Sequence, residues 1–113
     1  MIQRMIKVPS KPNRPERECD GGIYITVRWM QPYDGGADIT GYVIKYGDDK
    51  TDENNYPTEE IAGNRNDFQF TRQLVEDTKY QFAVAAVNKT GLGEFSDFCD
   101  YINTDTGKLW LFC

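Results

Sequence analysis

Apolar and polar positions alternate most clearly from residue 23 onward. Ile23, Ile25, Val27 and Trp29 fall on one face, and Tyr24, Thr26 and Arg28 on the other. A period of two among β-branched residues predicts a half-buried strand. It stops at Gln31-Pro32, and Asp34-Gly35-Gly36 predicts a turn. A second strand is expected over 39–46, with Tyr42, Ile44 and Tyr46 on one face, Val43 and Lys45 on the other, and Gly47 closing it. The polar, acidic stretch 48–57 reads as an exposed loop. A short strand over 59–62 then ends at Gly63-Asn64, and Phe68 and Phe70 alternate with Gln69 and Thr71 in another. The longest strand places Tyr80, Phe82, Val84 and Ala86 inward and Gln81, Ala83, Ala85 and Val87 outward. Gly91 and Gly93 break it, and 98–104 reads as a final strand of unassigned facing.

No window sustains an apolar repeat of 3.6 residues with caps, so helix content is expected near zero. Six or seven short strands with regular turn signals predict an all-β, antiparallel sandwich. No internal repeat is present. Residues 1–22 carry Pro9, Pro12 and Pro15 among charges and end in Gly21-Gly22. Proline cannot donate to a central ladder, so this segment is expected to be a linker running at best into an edge strand.

A length of 113 residues fits one domain, and a chain of this size buries enough surface to fold without disulfides or a metal. Seven Tyr, six Phe and two Trp suit pleated strand faces better than helices. The net charge of −5 is unevenly spread: residues 1–22 hold five Arg or Lys against three acids, which leaves eight against fifteen in the body. An acidic body with no basic stripe argues against nucleic acid as a partner. The start, Met1 to Lys7, lacks the continuous apolar run of a secretory leader, and no stretch reaches the roughly 20 apolar residues of a membrane span. The apolar run Leu109-Trp110-Leu111-Phe112-Cys113 is far too short to span. Cys19, Cys99 and Cys113 form no C-x-x-C pair, which excludes a zinc cluster. One bridge, Cys19 to Cys99, is open if the first and last strands end near each other; free thiols are the default expectation.

Several landmarks occur in an order that resembles the fibronectin type III family. Trp29 ends a strand and precedes the Pro-containing loop 31–36, and Ile39-Thr40-Gly41-Tyr42-Val43-Ile44-Lys45-Tyr46 is similar to the family's third strand with its core tyrosine. Leu74-x-x-x-Thr78-x-Tyr80 is similar to the corner between the family's fifth and sixth strands. There the resemblance implies that Leu74 plugs the core and that the Tyr80 hydroxyl bonds backbone across the corner. The stretch from Tyr80 through Asn88, Gly91, Gly93 and Ser96 follows the sixth strand and its turn. The family's usual corner proline is replaced by Glu76, and Glu94-Phe95 replaces a Pro-rich approach to the last strand. The resemblance implies an immunoglobulin-like sandwich of about seven strands over 12–104, a linker over 1–11 and a tail over 105–113. Its structural core would include Trp29, Tyr42, Leu74 and Tyr80.

The chemistry is sparse. The absence of histidine removes the commonest general base and metal ligand. Adjacent carboxylates such as Glu59-Glu60 point to opposite faces of a strand and do not converge on a substrate. The acidic loop from Asp49 puts Thr51 and Asn54 where a calcium loop requires Asp and Gly, so a solvated loop is the expectation. Asn88-Lys89-Thr90 fits the glycosylation acceptor pattern in an expected exposed turn, although asparagine also belongs to the family's own pattern there. Lys89, Thr90, Leu92 and Phe95 are the expected protein-contact loop, without the Arg-Gly-Asp triplet through which some relatives bind integrins. No catalytic residue, cofactor or small-molecule substrate is expected. The expected partners are neighbouring modules or a protein ligand, with a membrane reached only through a parent protein. The resemblance implies a module of a cell-surface adhesion or receptor protein. The run Pro32-x-Asp34-Gly35-Gly36-x-x-Ile39-x-Gly41-Tyr42 is also similar to intracellular titin-like muscle repeats. A self-associating protein using its apolar tail and Cys113 is the third possibility.

Overall fold

The computed structural model describes residues 5–18, 24–71 and 74–104. Two antiparallel sheets enclose one aromatic core. The smaller sheet has the order β1-β2-β5, from β1 (Glu16–Arg17), β2 (Ile25–Arg28) and β5 (Asp67–Phe70). The larger runs β4-β3-β6-β7, from β4 (Thr58–Ala62), β3 (Gly41–Asp48), β6 (Lys79–Asn88) and β7 (Gly91–Leu92); β8 (Ile102–Asn103) pairs with the start of β6. A single 3₁₀ turn, Glu53–Asn55, is the only helical element among the described residues, capped by the Asp52 carboxylate, which accepts from the Asn54 N–H. The expected strand start at Ile23, Cys19 of the open bridge and the 109–113 tail lie outside the described residues.

The inward faces follow the alternation. Ile25, Val27 and Trp29 are buried, as are Tyr42, Ile44 and Tyr46, whereas Val43 and Lys45 are only half-buried. The core is built largely of rings: Tyr46 and Phe70 lie 4.8 Å apart between centroids, Phe70 and Phe82 5.1 Å, and Trp29 and Tyr42 5.1 Å. Tilted aromatic pairs at such distances add to what their buried area already contributes.

The strand β6 departs from expectation, because Gln81, Ala83 and Ala85 are buried along with the inward residues. Its even-numbered residues bond residues 93–99 and its odd-numbered ones bond β3, so β6 is flanked on both edges. Lys45 of β3 reaches Phe95 on the far flank, its ammonium 4.3 Å from the ring centroid. That contact crosses the outer face of β6, and only small alanines fit beneath it. Gln81 is covered by Tyr56, whose hydroxyl accepts from Gln81 Nε2 at 3.1 Å and donates to the Asp48 carbonyl at 2.7 Å. Tyr56 is thus buried, against the expectation that 48–57 is wholly exposed. Its ring lies on Gly47, where a Cβ would come within 2.1 Å of it.

The expected strand over 98–104 shrinks to Ile102–Asn103. Upstream, the Gly93, Ser96 and Cys99 N–H groups donate to the Ala86, Val84 and Phe82 carbonyls. Three residues on this flank therefore match two on β6. An edge that slips at every step cannot template a further strand.

The corner before β6 is closed by its own bonds and reinforced from a distance. The Val75 N–H donates to the Tyr80 hydroxyl at 2.8 Å, and half-buried Leu74 packs on the core. Asp77 takes a positive φ of 48°, and its N–H donates to the Thr104 carbonyl. The fully buried Thr104 hydroxyl donates to the Val75 carbonyl and accepts from the Thr78 N–H at 3.0 Å. The corner that carries Glu76 instead of proline is thus tied to the last strand.

Two stability predictions follow from this packing. Trp29→Ala should lower unfolding free energy in urea by about 3–5 kcal/mol, and a loss below about 1 kcal/mol would contradict the ring's place in the core. Tyr80→Phe and Thr104→Val should each cost about 1–3 kcal/mol by leaving backbone partners in part-buried positions unbonded. Unchanged urea midpoints would show that the corner does not depend on them.

Candidate functional site

The turn between β6 and β7 is where sequence reading places both the glycosylation acceptor and the contact loop. Asn88 ends β6 and is buried, at 3% exposure. Its amide nitrogen donates both hydrogens, to the Lys7 carbonyl at 2.7 Å and the Asp34 carbonyl at 2.8 Å. Its oxygen accepts from the Thr90 and Gly91 N–H groups. The acceptor reading requires an exposed side-chain nitrogen, and here that nitrogen is bonded and covered. The exposure expected of Asn88 is therefore corrected: its side chain is covered and bonded, and in the folded domain it is a structural clamp.

The contact loop divides. Lys89 and Thr90 are exposed, and Leu92 is 46% exposed on β7. Phe95, also expected to be exposed, is half-buried beneath Lys45 and presents only part of its ring.

The proline segment packs against this same region. Pro9, Pro12 and Pro15 are buried while each residue between them is exposed, a period of three. The Lys7 and Ser10 N–H groups donate to the Gly35 and Tyr33 carbonyls at 3.0 and 2.9 Å. Lys11 pairs with Asp97 at 3.0 Å and reaches Glu94 at 4.0 Å. The bond to Asp97 raises the Lys11 ammonium above its ordinary range and lowers the Asp97 carboxyl below its own. Both groups are exposed, so the pair contributes little to stability by itself. Residues 7–11, in the segment expected to be linker, thus bond the loop before β3 and the flank of β6.

Elsewhere the polar groups serve turns and edges. A cleft of about 800 Å³ is lined by Asn13, Glu16, Arg28, Trp29, Gln31 and Asn66 among others. Among the described lining residues the one carboxylate, Glu16, lies 3.7 Å from Arg28, and no nucleophile stands beside a base. The Asp48 carboxylate accepts from the Lys50 N–H, and hydrogen bonding centred on Thr51 holds it below the ordinary carboxylate range. Among the described residues, no cluster of three or more His, Cys, Asp or Glu is placed to hold a metal. Cys99 is a buried, unbridged thiol whose pKa burial pushes up.

Sequence reading missed Thr104, Tyr56 and the proline strap. A signal existed only for the strap, in the spacing 9, 12, 15. Tyr56 and Thr104 act through contacts with residues distant in sequence.

The model of the family described as "Fibronectin type III domain" matches residues 19–99. Human (Homo sapiens) Neogenin is 33% identical over 93 residues, covering 81% of this chain and 6% of that protein. "M-protein, striated muscle" of Gallus gallus is 33% identical over 100 residues, covering 85% of this chain and 7% of that protein. The chain therefore spans only a small fraction of the curated relatives it matches. Among solved structures, domains A168–A170 of titin superpose with a TM-score of 0.75 at 24% identity, covering 87% of this chain and 32% of that one. Chicken CNTN1 FN1–FN3 domains give 0.75 at 22%, covering 86% and 33%. With a family match across most of the sandwich, and the two paired sheets in place, this chain belongs to the fibronectin type III family.

Proposed function

We propose that this chain is a non-catalytic module of a longer protein, serving there as a structural spacer and a protein–protein interaction domain. The observation that carries the reading is one of scale: one sandwich corresponds to 6–7% of relatives such as Neogenin and M-protein. The chemistry supports it. The chain has no histidine, the buried side chains of Ser96, Asn88 and Thr104 are spent on backbone bonds, and the described residues bring together no arrangement for proton transfer or covalent catalysis. Its partners would be neighbouring modules or a protein ligand, met through Leu92 and the turn at Lys89 and Thr90. The acidic body disfavours nucleic acid, and a membrane would be reached only through the parent protein.

The parent in this reading is a cell-surface adhesion or receptor protein, as the resemblance implies. Asn88 would stay unmodified there once the domain is folded. The second reading, an intracellular muscle protein, draws support from the identity to M-protein of striated muscle and from the unbridged Cys99.

Protease added to intact cells expressing the tagged full-length parent distinguishes the two settings. The surface reading expects this module to be cleaved from, or shed with, the exposed part of the protein before permeabilisation. Protection until the membrane is opened, with the protein retained on myofibrils, would overturn it in favour of the muscle setting.

A further inference from the structure

We propose that residues 7–15 form a docked polyproline strap, so that the polypeptide meets the sandwich through a stiff joint at Lys7 rather than through a flexible linker. The inference rests on the module reading only in giving that joint a use. Burial at Pro9, Pro12 and Pro15, with exposure between, is the repeat of a polyproline II helix lying on one of its three faces. Such a helix makes no internal hydrogen bonds, so its backbone bonds only water or whatever it docks on. Here the Lys7 and Ser10 N–H groups, one turn apart, find carbonyls of the loop between β2 and β3. The Lys7 carbonyl accepts from Asn88 at the end of β6. The strap is therefore held by the β2–β3 loop and by the β6–β7 hairpin together.

Two glycines record how close the fit is. A Cβ on Gly35 would lie 2.1 Å from the Lys7 oxygen, and one on Gly93 would lie 2.3 Å from the Pro9 oxygen. Both obstacles are backbone atoms, which no rotamer change removes. Beyond Pro9, Lys11 reaches across to Asp97 on the flank of β6. Proline at every third position also restricts the undocked segment, so docking costs it less conformational entropy. The device is local: the strap lies outside the ring cluster of the core, so it can be loosened while the sheets stay paired.

Amide hydrogen exchange and ¹⁵N relaxation on the full 113-residue chain test this. The Lys7 and Ser10 amides should exchange at least about 100-fold more slowly than in an unstructured peptide. Residues 7–15 that carry an amide should be as ordered as β6. The Pro9→Gly, Pro12→Gly double variant should erase most of that protection while Ala83 and Val84 in β6 keep theirs to within about tenfold. Lys11→Glu, which leaves every buried contact in place, should speed Lys7 and Ser10 exchange severalfold and leave β6 unchanged. Order parameters below about 0.6 over 7–15 in the unaltered chain, with β6 still protected, would overturn the strap and leave the module reading intact. Parallel loss of protection in the strap and β6 in both variants would also overturn it, because the segment would then be core rather than joint. An unaltered chain without protection even in β6 would remove the folded module itself.

Discussion

The structure depends on one strand having no open side. β6 is bonded to β3 along one edge and to β7, the 93–99 flank and β8 along the other, and its ten residues are buried on both faces apart from Lys79 and half-buried Val87. Water does not reach a strand so placed, so any backbone N–H or carbonyl left without a partner there is costly. Side chains therefore complete what irregular neighbours leave undone. Ser96 is the clearest case: its N–H donates to the Val84 carbonyl while its hydroxyl accepts from the Val84 N–H. Asn88 and Tyr80 do the equivalent near the two ends, tying β6 to the β2–β3 loop and to the preceding corner.

That requirement also accounts for the outer face of β6. Alanines at 83 and 85 leave space for Lys45 to cross toward Phe95, and Gln81 is polar yet covered because Tyr56 accepts its hydrogen. The acidic loop that supplies Tyr56 is held by short-range bonds, Asp48 to the Lys50 N–H and Asp52 to the Asn54 N–H.

The two inner faces were legible because side chains alternate along a strand and only one side of β2 and β3 is covered. Trp29, Tyr42 and Tyr80 stood out for the same reason: large rings at inward positions beside recognisable turns. What escaped was information held in pairs of distant residues. Thr104 matters because Val75 and Thr78 lie beside it, and Tyr56 because residue 47 lacks a side chain. The strap escaped for another reason. Its period is three, and a reading tuned to periods of 2 and 3.6 finds only prolines between charges. The place of Asn88 beside a turn predicts exposure, whereas its amide faces inward to the strap. The surface chemistry was legible mainly as absence, and the contact turn at Lys89, Thr90 and Leu92 names no ligand.

If β6 is the element on which both sheets and the strap rest, its central amides open only when the whole domain unfolds. Native-state hydrogen exchange across a urea series measures this directly at Ala83, Val84 and Ala85, whose amides bond β3 or Ser96. The account predicts that their opening free energies coincide with one another and with global unfolding by circular dichroism, sharing its urea slope. Opening of these amides at clearly lower free energy, with little urea dependence, would contradict it and place the stable centre of the domain elsewhere.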